Sequence, residues 1–120
     1  MQALKQSGRL TAAAAVLAAL SILAGAFGAH AASSELAAQW LRTGTAYLLP
    51  HCVAALALPA AYSRQSWLLL FGAAWFAASL YAMALGAPRW FGALTPLGGA
   101  LMIGSWLWIA LQAWQQKSIV

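Results

Sequence analysis

His30, His51, Cys52 and Glu35 carry nearly all of the reactive chemistry in this 120-residue chain. The sharpest reading of the histidines is a metal or haem centre, because neutral imidazole is a common metal ligand. Two histidines fall short of the three or four protein ligands that a zinc site needs. Cys52 next to His51 adds a soft ligand, but neighbours on a helix point about 100° apart. Glu35 is the only side-chain carboxylate. No pair of acids exists for acid–base work, and no carboxylate cluster for a hard cation. Ser79 with His51 lacks the orienting acid of a serine hydrolase. No phosphate-binding Gly-Lys-Ser/Thr loop is present. The plainer reading is that His51 bonds to a neighbouring helix, His30 ends a helix beside water, and Cys52 fills a small buried space. A third use is a lipid, quinone or small apolar ligand held near His51 and Tyr47. No cofactor or metal is expected.

These residues sit in an unusual background. The chain is 64% hydrophobic and 6% charged, against about 25% charged in a soluble domain. Such a chain has too little polar surface for water, so lipid is its main solvent. Lys5, Arg9, Glu35, Arg42, Arg64, Arg89 and Lys117 separate four uncharged runs, 10–34, 43–63, 65–88 and 90–116. Each run holds the roughly 20 helical residues that cross a hydrocarbon core of about 30 Å. The runs are continuously apolar rather than alternating, which excludes a strand barrel. The net charge of +5 is scattered between the spans and forms no patch for nucleic acid. A single cysteine allows no internal disulfide.

The expected architecture is an all-α membrane protein. It is one domain, residues 1–120, with spans at about 9–29, 43–62, 66–86 and 95–114 in an up-down four-helix bundle. A short interfacial helix is expected between the first two spans, capped by Ser33 or Ser34 and carrying Leu36, Trp40 and Leu41 on one side. The segment "GAFGAHA" (25–31) also looks like the end of a secretory leader. Its apolar stretch, Leu10 to Phe27, exceeds the usual 7–15 residues, so a retained helix is expected. Basic residues place Lys5, Arg9, Arg64 and Lys117 on one side and Arg42 and Arg89 on the other. That predicts both termini in the cytoplasm.

Along the spans, Ser21, Gly25 and Gly28 give the first helix a small-residue face for close packing. Thr43, Tyr47, Pro50 and His51 form the most polar face of the second, expected to turn inward, with a kink at Pro50. Gly72, Phe76, Ser79 and Met83 share a side of the third. Thr95 suits the N-cap of the fourth and Pro96 its first turn. Gly98, Gly99 and Gly104 are expected to provide close-approach surfaces.

The stretches "GAFGAH" (25–30), "TGTAYLLPH" (43–51), "SLYAMAL" (79–85) and "TPLGG" (95–99) resemble the YgdD-like family. These are small bacterial inner-membrane proteins of a domain of unknown function, with mitochondrial relatives. The resemblance spans nearly the whole chain, and Leu48 and Pro50 depart from the pattern. It implies a four-span, multi-pass protein of the bacterial inner membrane with the first span retained. Its signature positions fall on Gly25, Phe27, Gly28, His30, Tyr47, His51, Ser79, Tyr81, Thr95, Pro96, Gly98 and Gly99. It implies no activity. The expected function is therefore non-enzymatic, through packing against membrane lipids, a homo-oligomer or a membrane-protein partner, with no nucleic acid. The alternatives are a small facilitator, a binder of an apolar or lipid-like ligand at His51 and Tyr47, and a redox or metal protein using His30 and His51.

Overall fold

The computed structural model describes residues 7–117. Four long helices follow one another: α1 (Gly8–His30), α2 (Glu35–Ala57), α3 (Ser63–Ala84) and α4 (Thr95–Lys117). Short 3-10 helices, Ala60–Tyr62 and Arg89–Ala93, lie in the α2–α3 and α3–α4 connections. Lys5 and the side chain of Lys117, two of the basic groups behind the expected orientation, lie outside the described residues.

Each helix boundary has a local cause. The Ser7 hydroxyl accepts the Leu10 N–H at 3.1 Å and starts α1. The Ser34 hydroxyl accepts the Ala37 N–H at 3.0 Å, with Glu35 in the first turn of α2. Both satisfy amide donors that a helix start leaves unpaired. Pro59 ends α2, because the residue before a proline is pushed out of the helical region. Leu58 accordingly adopts ψ 141°. Gly86, at φ 112°, ends α3. Its N–H reaches the Met83 carbonyl and the Ala87 N–H reaches the Ala82 carbonyl, the paired bonds of a Schellman turn.

The short interfacial helix expected between spans 1 and 2 is not a separate element. Residues 35–42 form the first two turns of α2, which continues unbroken through Pro50 to Ala57. The predicted break fails because Ala37, Ala38 and Leu41 are buried against neighbouring helices. That packing rewards one continuous helix over two.

Three helical segments are long and apolar enough to cross a membrane: Gly8–His30, Ala60–Ala84 and Arg89–Gln116. α2 has the same length as α1, but Glu35, Gln39 and Arg42 make its first turns polar.

Consecutive helices are antiparallel. Gly28 meets Leu41 while Gly25 meets Thr45 across α1–α2. Gly44 meets Tyr81 while Tyr47 meets Phe76 across α2–α3. Ser79 meets Thr95 while Gln65 meets Gln112 across α3–α4. α1 and α3 consequently run parallel. α3 is the central helix, packed against both α2 and α4, while α4 makes no comparable interface with α1. The expected bundle is thus open on one side. The main core joins Leu10, Ala14, Leu48, Cys52, Leu70 and Ala73. Small side chains dominate it, which lets backbones approach closely where lipid supplies no hydrophobic drive between helices.

Candidate functional site

The inward stripe of α2 is Leu41, Gly44, Leu48, Cys52 and Ala55, at the three- and four-residue spacing of one helix face. The polar face of Tyr47, Pro50 and His51 was expected there and instead lies at the edge of the bundle. Tyr47 is 48% exposed. The reason is volume: Gly44 lies against the Tyr81 ring, and the core has room only for small or aliphatic groups. Leu48 is buried in that core.

Tyr47 and His51 border a cleft of about 400 Å³ between α2 and α4, floored by Phe76 of α3. Gly99, Met102, Ile103 and Trp106 form the α4 wall. His51 Nδ1 lies 2.6 Å from the Tyr47 carbonyl oxygen. A carbonyl can only accept, so Nδ1 carries the proton. Nε2 is then the acceptor, and the Trp106 indole N–H donates to it at 3.0 Å. The two bonds together define the tautomer and engage both ring nitrogens. Its ring meets Trp106 edge-on, centroids 5.9 Å apart, and Tyr47 packs on Phe76 at 4.8 Å.

The remaining candidates are structural neighbours rather than parts of this cleft. Thr45 Oγ1 donates to the Ser21 carbonyl at 3.0 Å. Its only proton being committed, it accepts from the Tyr81 hydroxyl at 2.8 Å. This chain of bonds ties α1, α2 and α3 together. Ser79 donates to the Phe76 carbonyl and lies 2.6 Å from the Thr95 hydroxyl, which donates to it. Thr95, expected as the N-cap of the fourth span, is instead the first residue of α4, and its hydroxyl couples α3 to α4 through that bond. Pro96 follows it in the first turn of α4, exposed.

Of the glycines, Gly28 fits closely against Leu41 and Gly25 touches the Thr45 methyl. At Gly98 an added Cβ would lie 2.6 Å from the Gly72 carbonyl oxygen. Gly99 and Gly104, also expected at close approaches, have nothing within 4 Å of an added Cβ. Gly99 faces the open cleft instead.

His30 is exposed at the end of α1. His51 lies sixteen residues beyond Glu35 in α2, roughly 24 Å further along the helix axis at 1.5 Å per residue. The two histidines therefore do not share a site. No group of three or more His, Cys, Asp or Glu side chains gathers among the described residues.

Sequence reasoning missed Trp106 as the partner of His51. The signal was its position in the middle of the fourth span, too deep for a tryptophan at the headgroups. It also missed Gln65, buried to 1% exposure, whose amide donates to Gln112 at 2.6 Å while Gln112 donates to the Ala61 carbonyl.

The family described as "Protein of unknown function (DUF423)" matches residues 24–99. The chain belongs to this family. The matched range takes in Gly25 and Gly99 and ends before Trp106. A UPF0382 membrane protein of Staphylococcus saprophyticus is 36% identical over 102 residues, covering 77% of this chain and 85% of that protein. A UPF0382 membrane protein of Haemophilus influenzae is 36% identical over 107 residues, covering 79% and 85%. The UPF0382 inner membrane protein YgdD of Escherichia coli is 36% identical over 93 residues, covering 68% and 71%. No solved structure matches the chain. Family membership and the apolar helices together make this an integral membrane protein of unknown function.

Proposed function

We propose that this protein is a non-enzymatic, multi-pass protein of the bacterial inner membrane that acts by holding a lipid-like ligand or a partner helix in the α2–α4 cleft. The observation that carries this reading is the His51–Trp106 pair. Polar side chains within a membrane are costly unless they bond to one another, and this pair bonds across an open, otherwise apolar cleft. Clefts with apolar walls and few polar groups are the usual form of small-ligand sites. Elsewhere, the bonds of Thr45, Tyr81, Ser79 and Thr95 serve helix packing, which supports binding over catalysis.

A four-span topology fits the parallel run of α1 and α3. If both cross the membrane in one direction, α2 must return the chain. Its 23 residues cover roughly 34 Å, enough for a core of about 30 Å. Both termini then lie on one side, and Arg9 and Arg64 favour the cytoplasm. The name of the Escherichia coli relative supports the inner membrane.

The test is purification in a mild detergent, with lipid analysis and crosslinking. Wild-type protein should retain a defined lipid or partner, and His51→Phe with Trp106→Phe should release it. Bare monomer in every gentle extraction would refute the binding role. Facilitated flux of solutes across reconstituted liposomes would favour a transporter instead.

A further inference from the structure

A second cleft runs between the parallel helices α1 and α3, apart from the His51–Trp106 cleft. Its outer part, about 420 Å³, is lined by Ala13 and Leu17 of α1 and by Trp67, Phe71, Ala74 and Ala78 of α3. A smaller cavity of about 180 Å³ shares Leu17, Ala74 and Ala78 and continues toward Leu20 and Tyr81. The groove thus advances along both helices together, from Ala13 and Trp67 inward. From Trp67 to Ala78 it covers roughly 16 Å at 1.5 Å per residue, close to the depth of one leaflet, about 15 Å. The walls are alkyl and aromatic throughout. The small side chains at positions 13, 74 and 78 create the hollow.

An arginine stands on each helix beyond the outer end of the groove. Arg9, Ala13 and Leu17 recur at a spacing of four, and Arg64, Trp67, Phe71, Ala74 and Ala78 at three or four. Each series is one helix face, so each arginine continues the stripe that lines the groove, one turn beyond its end. Because the helices run parallel, both arginines reach the same end. Both are exposed, and neither forms an ion pair or hydrogen bond among the described residues. The Trp67 indole N–H likewise has no partner there, at 43% exposure. The only side-chain carboxylate, Glu35, is at the start of α2, at the opposite end.

We propose that the α1–α3 groove is a binding site for one anionic phospholipid, with an acyl chain along Ala13, Leu17, Ala74 and Ala78 and the phosphate between Arg9 and Arg64. Guanidinium groups bind phosphate oxygens in a bidentate geometry that a hydrated ammonium does not match. Basic pockets between membrane helices select anionic headgroups in this way. The Trp67 indole, at the polar boundary, has a donor to offer an ester carbonyl. The proposal rests on the membrane-spanning reading above but not on the α2–α4 cleft.

The test is native mass spectrometry of the full chain with phosphatidylglycerol and phosphatidylcholine of identical acyl chains at equal concentration. Wild type retains phosphatidylglycerol with about a tenfold preference. Arg9→Gln with Arg64→Gln reduces the preference to about twofold or less, whereas Arg42→Gln with Arg89→Gln at the other end leaves it. Ala78→Leu lowers retention by filling the groove. Free glycerol phosphate does not displace the bound lipid. Equal retention of the two lipids by wild type would overturn the proposal. So would a preference that survives loss of Arg9 and Arg64, or displacement by glycerol phosphate. A second measurement needs no arginine variant: brominated phosphatidylglycerol quenches tryptophan emission more than brominated phosphatidylcholine, and Trp67→Phe shrinks that difference. An unchanged difference in Trp67→Phe counts equally against the site.

Discussion

His51 Nε2 accepts the Trp106 indole proton at 3.0 Å, and this bond joins α2 to α4 across an open cleft. The other imidazole nitrogen donates to the Tyr47 carbonyl, one turn earlier in the same helix. The ring is therefore oriented from its own helix before it meets its partner. His51→Phe and Trp106→Phe should each lower stability by about 1 kcal/mol, within the range of interhelical hydrogen bonds in membranes. Unfolding in detergent, with the double variant, measures the pair directly: a coupling near zero would show that the bond does not hold α4.

Gly98 and Gly99 are adjacent yet should respond oppositely to alanine. At Gly98 the new methyl would meet the Gly72 carbonyl and the Phe76 backbone nitrogen. Backbone cannot give way as a side chain does, so Gly98→Ala should cost about 2 kcal/mol or more. Gly99→Ala enters open space and removes a helix-weakening glycine, so it should be neutral or stabilise by up to about 1 kcal/mol. Paired thermal unfolding curves check the contrast.

Gly44 lies where an added Cβ would come within 2.6 Å of the Tyr81 ring. Gly44→Ala should destabilise the protein by about 1–3 kcal/mol through overpacking. Tyr81→Leu in the same chain should recover part of the loss, since it removes the obstructing ring. Tyr81→Phe should not, because it keeps the ring and also removes the bond to Thr45.

Thr45→Val keeps the shape but removes the only side-chain donor to the Ser21 carbonyl, leaving the Tyr81 hydroxyl without its acceptor. The expected cost is about 1–3 kcal/mol, the penalty for stranding buried polar groups. Thr45→Ser should retain most of the stability. A denaturant titration of the two variants decides whether the hydroxyl or the methyl matters.

Cys52 is buried to 0% exposure among Leu48, Ala55 and the core of α3. A maleimide should leave it unlabelled in mild detergent and label it fully after denaturation, because reactivity needs access. Rapid labelling of the native protein would mean that α2 is not packed as described.

The solvent of this protein is written in its composition. Long uncharged runs must become helices in lipid, since only internal backbone bonding satisfies their amides. Ser34 and the glycine at 86 likewise mark helix ends by local chemistry, which needs no knowledge of the neighbours. The glycine motifs at 25–28 and 98–99 signalled close packing. Which glycine actually touches a backbone depended on helix rotation, and one-residue differences in rotation are invisible in a small-residue pattern.

The tertiary structure decided what the local pattern left open. It merged residues 35–42 into α2, because burial of Ala37 and Leu41 outweighed the polar residues around them. It turned Tyr47 and His51 to the bundle edge, because Gly44 and Leu48 filled the interior. It separated His30 from His51 by the length of a continuous helix, and it paired His51 with a tryptophan 55 residues away. Such choices depend on which side chains meet after the helices dock. Periodicity within one helix records the period of its faces, and only packing determines what each face meets.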